Sequence, residues 1–394
     1  MPDYYLNHMR LACALGSDED AVAERLFCGD VSAMQRGSRW LGPDHSRFGV
    51  IASELPQVPA ALAEYDCRNN RLAQLVASGL EGPLGDLKAR FGSDRIGVVM
   101  GTSTSGIASG EQRLGEQGEI GSGKNYRYRY QQQMAALAEY VARYLALQGP
   151  RITVSTACSS SANAFASARR LLAGNVCDAV VVGGVDTLCG MTVTGFNGLG
   201  ALSAGHTRPF SAARDGINLG EAGAMFIMSR EPGPVRLCGV AASSDAHHMS
   251  APDPEGRGAE AAMRGALADA GLNVADIGYL NLHGTGTPQN DVMEALAVSR
   301  VLGEHTPCSS TKPMTGHTLG AAGALEAAFC WLALTRGQLP PHCNDDDYDA
   351  QLPPLQLVRA AIPGVDTGTG AAPRYVMSNS FAFGGSNCSL ILGS

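Results

Sequence analysis

The chain has 394 residues, of which 45% are hydrophobic and 17% charged, and its net charge is −8 at pH 7. This length and apolar content predict a large core in two domains or one fused unit, and the acidic balance argues against a nucleic-acid-binding protein. No apolar run approaches the roughly 18 to 20 residues that cross a bilayer, and MPDYYLNHMR lacks a signal-peptide layout, so we expect a cytoplasmic protein without a membrane span.

The 11 cysteines are scattered, without the CxxC or Cys/His spacing of a zinc site. A disulfide framework is not expected in a reducing compartment. We therefore expect most of the cysteines to be packing residues, and we expect neither a catalytic metal nor a redox cofactor.

The predicted elements of the first half lead from a buried strand to a reactive side chain. DRIGVVMGTSTSG, from Asp94, predicts an apolar strand that runs into a Gly/Thr/Ser loop. RITV predicts a short strand before STACSSS, and the small and helix-favouring residues of SSANAFASARRLLAGN predict a helix after it. The continuous apolar run AVVVGGV, from Ala179 to Val185, is typical of a strand that helices cover on both faces.

This order of elements places Cys158 at the N-terminus of a helix. Unpaired N–H groups and the positive end of the helix dipole favour a thiolate there, so we expect a pKa below the roughly 8.5 of an unperturbed cysteine. The leading interpretation is a nucleophile. The alternative is a small buried hydrophobe, the usual role of a lone free cysteine.

The second half repeats the pattern of the first. ADIGYLNLHGTGT, from Ala275, resembles the strand-to-loop segment of the first half, and SSTKPMTGHTLGAAGALEAAFCWLALTRGQ, from Ser309, resembles its cysteine-to-helix segment. We therefore predict an α/β fold, a layered α/β/α/β/α sandwich built from two duplicated halves, residues 1–233 and 234–394. The junction is expected in SREPGPVRL, Ser229 to Leu237, where Pro and Gly break the pattern.

Two histidines follow predicted elements of the second half. His283 ends YLNLH, and His317 lies on a glycine-rich approach to a helix. Each alone would more often be structural. Because a duplication brings equivalent loops of the two halves to one edge, we interpret both, together with Cys158, as a catalytic set.

Six motifs resemble, in order, those of the β-ketoacyl-acyl carrier protein synthases of the thiolase superfamily, of the type with a Cys-His-His triad: STACSSS, TRPFSAARDGINLGEAG, SSDAHHMSAP, HGTGTPQND, SSTKPMTGHTLGAAG and SNSFAFGGSNCSLIL. The resemblance covers nearly the whole chain. It implies an acyltransferase that condenses an acyl-enzyme thioester with malonyl-acyl carrier protein, with loss of CO2, to give 3-oxoacyl-acyl carrier protein in fatty acid, aryl polyene or related polyketide synthesis. GTSTSGI, YLALQGP and PCSSTK are most similar to ketosynthases of bacterial aryl polyene clusters.

The resemblance also implies roles for single residues. Cys158 is the nucleophile, and His283 and His317 donate hydrogen bonds to the enolate that decarboxylation leaves. Lys312 keeps His317 neutral and orients it, and the N–H groups of Cys158 and Phe383 bind the oxyanion, with Phe383 also acting as a gate. The supporting and substrate-binding positions are Glu294, Thr285, Thr287, Ser250 and Phe196.

Several of these positions have plainer interpretations. Lys312 fits a surface lysine, Glu294 a solvated helix carboxylate, and Phe383 and Phe196 fit core residues. In the gate loop, Ala382 stands where the family usually has glycine, which we expect to stiffen a hinge.

The partners implied are an acyl carrier protein and a second subunit, in a homodimer or a heterodimer. An acidic carrier needs a local basic patch, for which the sequence offers Arg68 and Arg71, or Lys124, Arg127 and Arg129 in KNYRYRY. A merely solvated face is the alternative. The resemblance also allows a structural monovalent cation near Asn379 and Glu326.

Two other functions stay open at this point. A chain-length-factor-like subunit of a heterodimeric ketosynthase shares the fold but lacks the nucleophile, so the presence of Cys158 counts against it. A degradative thiolase would need a second cysteine as base, for which Cys388 is the candidate, but HGTGT and GHTLG fit the decarboxylating type better.

Overall fold

The computed structural model describes residues 3–38, 40–117, 126–344, 347–359 and 373–394, so Lys124 of the second basic patch lies outside the described residues. The strands in these ranges are β1 Tyr5–Ala12, β2 Met34–Ser38, β3 Gly42–Gly49, β4 Ile96–Gly101, β5 Arg151–Val154, β6 Ala179–Asp186, β7 Leu219–Gly220, β8 Ala222–Ser229, β9 Val235–Ser244, β10 Ile277–Asn281, β11 Cys308–Ser309, β12 Tyr375–Phe381 and β13 Ser386–Gly393. The α-helices are α1 Glu19–Phe27, α2 Arg68–Ser78, α3 Glu81–Phe91, α4 Ile107–Gln117, α5 Tyr128–Gln131, α6 Ala136–Tyr144, α7 Ser160–Ala173, α8 Gly190–Gly198, α9 Arg257–Ala270, α10 Pro288–Leu302, α11 Lys312–Thr315 and α12 Ala322–Arg336.

The large sheet consists of two equivalent halves. Its order is β11-β10-β12-β13-β9-β1-β8-β6-β4-β5. Read inward from its outer edge, each half has two parallel pairings followed by two antiparallel ones. The halves meet where β1 pairs with β9, through Tyr5↔Arg236 and Leu6↔Val235. The repeat predicted from the sequence is therefore a repeat of topology.

Helices cover both halves of the sheet on both faces. The apolar residues of α2 and α6 pack on one outer face, and those of α9 and α10 on the other. Between the two halves lie α7 and α12, which contribute small and apolar side chains to a shared central core. The predicted α/β/α/β/α sandwich is confirmed.

The elements predicted around the site lie where the sequence placed them, with one difference. RITV is β5, AVVVGGV lies in β6, and the helix after STACSSS is α7. However, β10 ends at Asn281, so His283 follows the strand instead of ending it. The ladder stops there because the carboxylate of Glu294, on α10, takes up the N–H groups of His283 and Gly284.

Small residues bring the N-termini of the two central helices together. A Cβ at Gly323 of α12 would lie 2.7 Å from the Cβ of Ala162 on α7, so only glycine allows this approach. The N–H of Ala324 donates to Oγ of Ser161 at 2.8 Å. The segments that precede these helices, with Cys158 in one and His317 in the other, consequently lie side by side. Within the described ranges, no helix is both long and apolar enough to cross a bilayer.

Candidate active site

Cys158 lies in a tight turn between β5 and α7, and it is 6% exposed. The turn needs a positive φ of 49° at Ala157, and it is closed by a hydrogen bond from the Ser159 N–H to the Thr156 carbonyl at 3.2 Å. Behind it, a Cβ at Gly101 would lie 2.4 Å from the Cα of Ser161, so the first turn of α7 packs directly on the end of β4. Backbone packing thus fixes the position of the cysteine.

The expectation that the helix lowers the pKa of Cys158 is wrong for the resting protein. Burial raises the pKa of its thiol to about 11, while the Phe383 N–H and the positive charge of Lys312 lower it by less. Desolvation outweighs the favourable groups because the sulfur lies away from solvent. Cys158 therefore rests as a thiol, whose proton must be accepted when the sulfur reacts.

The two histidines meet edge to face beside this turn. The ring centroids of His283 and His317 are 5.2 Å apart, with an interplanar angle of 87°. Burial lowers the pKa of both imidazoles well below 6.5, and the charge of Lys312 lowers both further. Both rings are consequently neutral at neutral pH, so each carries one N–H donor and one acceptor nitrogen.

Two charged side chains support His283 from behind. Nζ of Lys312 donates to the His283 carbonyl, lies 3.5 Å from His283 Nδ1 and pairs with the carboxylate of Glu326. Glu294 accepts the N–H groups of His283 and Gly284, each at 2.7 Å, and burial raises its pKa to about 7. Lys312 is 2% exposed and Glu294 0%, which excludes a surface lysine and a solvated carboxylate.

Lys312 was expected to keep His317 neutral and to orient it; its charge does lower the pKa of His317, but it forms no hydrogen bond with that residue. Its hydrogen bonds go to His283 and Glu326, and its effect on His317 is through charge. The ring nitrogens Nδ1 and Nε2 of His317 have no hydrogen-bond partner among the described residues. The orientation of this imidazole must therefore come from its backbone.

The predicted gate lies over the thiol. The backbone N–H of Phe383 points to the sulfur of Cys158. The Phe383 ring stacks on the Phe196 ring, with centroids 5.4 Å apart. Phe383 is 37% exposed and Phe196 is partly buried, so neither is plain core. Asp245, which we did not predict, holds the loop: its N–H donates to the Gly385 carbonyl at 2.8 Å, and its carboxylate accepts from Asn387 at 2.7 Å. The only sequence signal for it was its place in SSDAHHMSAP.

These groups surround a cavity of about 850 Å³, its open mouth included. The predicted residues that line it are Cys158, His283, His317, Phe383, Thr285, Thr287, Ser250 and Phe196. It is also lined by polar residues without a role predicted from the sequence, Asp245, Gln289, Asn290 and Asn387. The hydroxyls of Thr285 and Thr287 lie 2.9 Å apart. Cys388, the candidate thiolase base, is fully buried in the central core and is not part of this lining.

The predicted docking arginines are bound internally. Nε of Arg68 lies 3.0 Å from the buried carboxylate of Glu221, and Arg71 forms a two-pronged pair with Asp66, with N–O distances of 2.5 and 2.6 Å. Neither arginine offers an unpaired charge to a partner. In the second patch, Arg127 and Arg129 are exposed.

Part of the predicted cation site has suitable oxygens. Oε2 of Glu326, on α12, is buried without a hydrogen-bond partner among the described residues, and so are the hydroxyls of Ser378 and Ser380, on β12. Oxygen donors of this kind suit a hard cation. The Asn379 side chain lies on the opposite face of β12, where its oxygen accepts from the Ser389 hydroxyl at 2.8 Å.

Comparison with known proteins gives consistent results along the chain. Residues 85–232 match the family described as beta-ketoacyl synthase, N-terminal domain, and residues 235–346 match its C-terminal domain. Nodulation protein E of Rhizobium meliloti is 32% identical over 96% of both chains, and 3-oxoacyl-[acyl-carrier-protein] synthase 2 of Vibrio cholerae is 36% identical over 75% of both. A chain of the solved complex between the ketosynthase ApeO and its chain length factor ApeC from Xenorhabdus doucetiae is 45% identical, with a TM-score of 0.92 over 100% of this chain and 98% of that one.

Proposed function

The chain belongs to the β-ketoacyl synthase family of condensing acyltransferases, and we propose that Cys158, His283 and His317 carry out its decarboxylative condensation. One observation carries this proposal. The thiol comes from the first half and both imidazoles from the second, yet all three line one open cavity together with Phe383.

The first step in this proposal transfers the acyl group. The Cys158 sulfur attacks the thioester carbonyl of an acyl chain held on phosphopantetheine, and the bond from that carbonyl to the pantetheine sulfur breaks. Because burial keeps Cys158 protonated, neutral His317 takes the thiol proton and returns it to the departing pantetheine sulfur. The N–H groups of Cys158 and Phe383 bind the oxyanion.

The second step forms the carbon–carbon bond. The malonyl thioester loses CO2, and the enolate that remains accepts hydrogen bonds from His283 and His317 on its oxygen. The enolate carbon attacks the acyl-Cys158 carbonyl, the bond to the Cys158 sulfur breaks, and the thiolate takes a proton that comes from solvent. The product is a 3-oxoacyl thioester on the carrier, and no redox group enters this balance.

An acyl carrier protein is the donor and acceptor in this scheme, and Arg127 and Arg129 are proposed as its contacts. Both are exposed, and neither forms an ion pair with a carboxylate within the described ranges. Charge reversal at Arg68 would break its pair with buried Glu221, so it would not test docking alone.

A second condensing-type subunit is proposed at the edge of β5. This strand pairs with β4 on one side, and Arg151–Val154 is only partly covered on the other. An open strand edge is a template for a strand of another chain. The likeness to a chain of the ApeO–ApeC complex supports a heterodimer over a homodimer, and the resemblance of three sequence segments supports aryl polyene synthesis as the pathway.

Intact-protein mass spectrometry with a panel of acyl carrier-protein thioesters tests the nucleophile. We expect an adduct on Cys158, no adduct and no condensation in Cys158→Ser, and an unchanged melting temperature for that variant. His283→Ala and His317→Ala should each lose most of the malonyl decarboxylation, measured as CO2 release. Product formation by Cys158→Ser, or normal CO2 release from either histidine variant, would remove that residue from the mechanism.

The assembly is tested separately by light scattering of the purified chain, alone and co-expressed with a second condensing subunit. The heterodimer is supported if the purified chain alone has the mass of one chain and the co-expressed sample has the mass of two. A stable dimer of the chain by itself supports the homodimer instead.

A further inference from the structure

The position of His317 rests on its backbone, because its ring nitrogens have no partner among the described side chains. The backbone of His317 itself is anchored by two hydrogen bonds. The His317 N–H donates to the Asn218 carbonyl at 2.7 Å, and its carbonyl accepts from the Gly220 N–H at 2.9 Å. These bonds fix the residue itself but not the turn that leads from it into α12.

That turn is strained. Leu319 has a φ of 55°, in the left-handed region. For a residue with a side chain this conformation costs roughly 1–2 kcal/mol and persists only where the surroundings hold it. Groups outside this turn must therefore hold the next residue, Gly320, in place. A Cβ at Gly320 would lie 2.6 Å from the Ser103 nitrogen, so the chain approaches the first half closely at this point.

A carboxylate of the first half holds Gly320. Asp186, at the end of β6, is 0% exposed, and its Oδ2 accepts the Gly320 N–H at 2.6 Å. The same carboxylate accepts the N–H groups of Ser103 and Thr104 at 2.9 and 3.0 Å, the Ser103 hydroxyl at 2.6 Å and the Thr102 hydroxyl. The Ser103 hydroxyl also accepts from Gly320 at 3.1 Å. Bonds to an ionised acceptor are among the stronger ones in proteins.

We propose that Asp186 is a positioning residue for His317: it holds the strained turn after His317 against the loop 102–104 and thereby sets the height of the imidazole over Cys158. The proposal rests on the role of His317 in the proposed function. It assigns to the first half, which supplies the nucleophile, control over the geometry of a histidine of the second half.

Asp186→Asn tests this inference. Asparagine keeps the shape of the side chain, but it has one acceptor oxygen where Asp186 has two. The same donors then compete for one oxygen, so the Gly320 turn loses part of its support. Misplacing a reacting group by about 1 Å can cost ~100-fold in rate, and we expect malonyl decarboxylation to fall about 10- to 100-fold. Alkylation of Cys158 by iodoacetamide should not slow, because the Asp186 charge raises the pKa of that thiol and its removal acts in the opposite direction.

A double-mutant cycle separates positioning from a general loss of structure. If Asp186 acts through His317, Asp186→Asn combined with His317→Ala should be no slower than His317→Ala alone, whereas with His283→Ala the losses should multiply. Losses that multiply in both pairs would overturn the inference. The control is Asp269→Asn, which removes a carboxylate that accepts from fewer groups, Arg169 and the Val240 N–H, and that is absent from the cavity lining. It should change stability but not decarboxylation.

Ser103→Ala is the milder variant if Asp186→Asn does not fold. It removes one donor to Asp186 and one acceptor for Gly320, and we expect a smaller loss in the same assay with the same cycle result. If His317→Ala is slow while Asp186→Asn and Ser103→Ala keep the full rate, this inference fails and the proposed function stands. If His317→Ala itself keeps the full rate, the role of His317 in the proposed function fails.

Discussion

Removing the charge of Lys312 should destabilise the protein strongly and shift the pH dependence of its chemistry. Lys312 and Glu326 form an ion pair whose side chains are 2% and 3% exposed. In Lys312→Met the carboxylate remains buried without its partner. Breaking a buried pair in this way costs about 3–5 kcal/mol, whereas replacing both partners is often nearly neutral.

The sign of the pH effect on stability follows from Glu326. Burial already raises its pKa, and Lys312 is the group that lowers it. Without Lys312 the Glu326 carboxylate of the folded state binds a proton at pH values where the same carboxylate in the unfolded state, with its ordinary pKa of 4.5, stays ionised. The free energy of unfolding of Lys312→Met should therefore be lowest at high pH and rise as the pH falls toward that value. Adding Glu326→Gln should restore most of the stability and remove this slope.

Activity should not return with stability. The charge of Lys312 lowers the pKa of His283 and His317, so both values rise in the single and the double variant. In the proposed acyl transfer a neutral His317 accepts the thiol proton, so the acid limb of the rate should move to higher pH. The assays are urea unfolding and single-turnover acylation between pH 5 and 9. An unchanged acid limb in the double variant, or a stability of Lys312→Met that does not depend on pH, would refute the reasoning.

Three further changes probe a buried carboxylate, the proposed docking patch and the gate hinge. Glu294→Gln leaves one of two buried N–H groups without an acceptor, so the free energy of unfolding should fall by about 1–3 kcal/mol, and unchanged urea unfolding would contradict this. Reversing Arg127 and Arg129 to Glu should raise KM for carrier-bound substrate and weaken its salt dependence, without affecting KM for a small thioester. The control is Arg374→Glu, because Arg374 is exposed and directly precedes β12, at the end of the strand away from the gate loop. A KM for carrier-bound substrate equal to that of the unchanged protein would place docking elsewhere. Ala382→Gly should lower the melting temperature slightly and speed acylation by bulky acyl groups, because glycine frees the gate hinge; an unchanged rate would show that the hinge is not limiting.

The local elements of the site could be predicted from the sequence because their signals are local. RITV and AVVVGGV are apolar runs, and the small residues after STACSSS suit the closely packed helix α7. The pairing of the halves also followed, since the repeat of strand, loop and helix is visible in the letters. Cys158, His283 and His317 line one cavity for that reason.

The remaining features depend on groups distant in sequence. Arg68 pairs with Glu221, 153 residues away, so its charge looks free in the sequence and is not free in the fold. The raised pKa of Cys158 comes mainly from burial, which the helix N-terminus alone does not predict. Asp186 gave no signal either, because its donors come from the loop 102–104 and from Gly320.

The split of the site between two halves has a consequence for how descendants of such a gene can diverge. A substitution at Cys158 removes the acyl acceptor but leaves the second half, with its imidazoles, Lys312 and Glu294, untouched. The edge strand β5 is equally unaffected, since it ends before the reactive turn. After duplication, one copy that loses its thiol therefore keeps both its core and the proposed assembly edge, so in the proposed heterodimer selection can retain it as a companion of the copy that keeps Cys158.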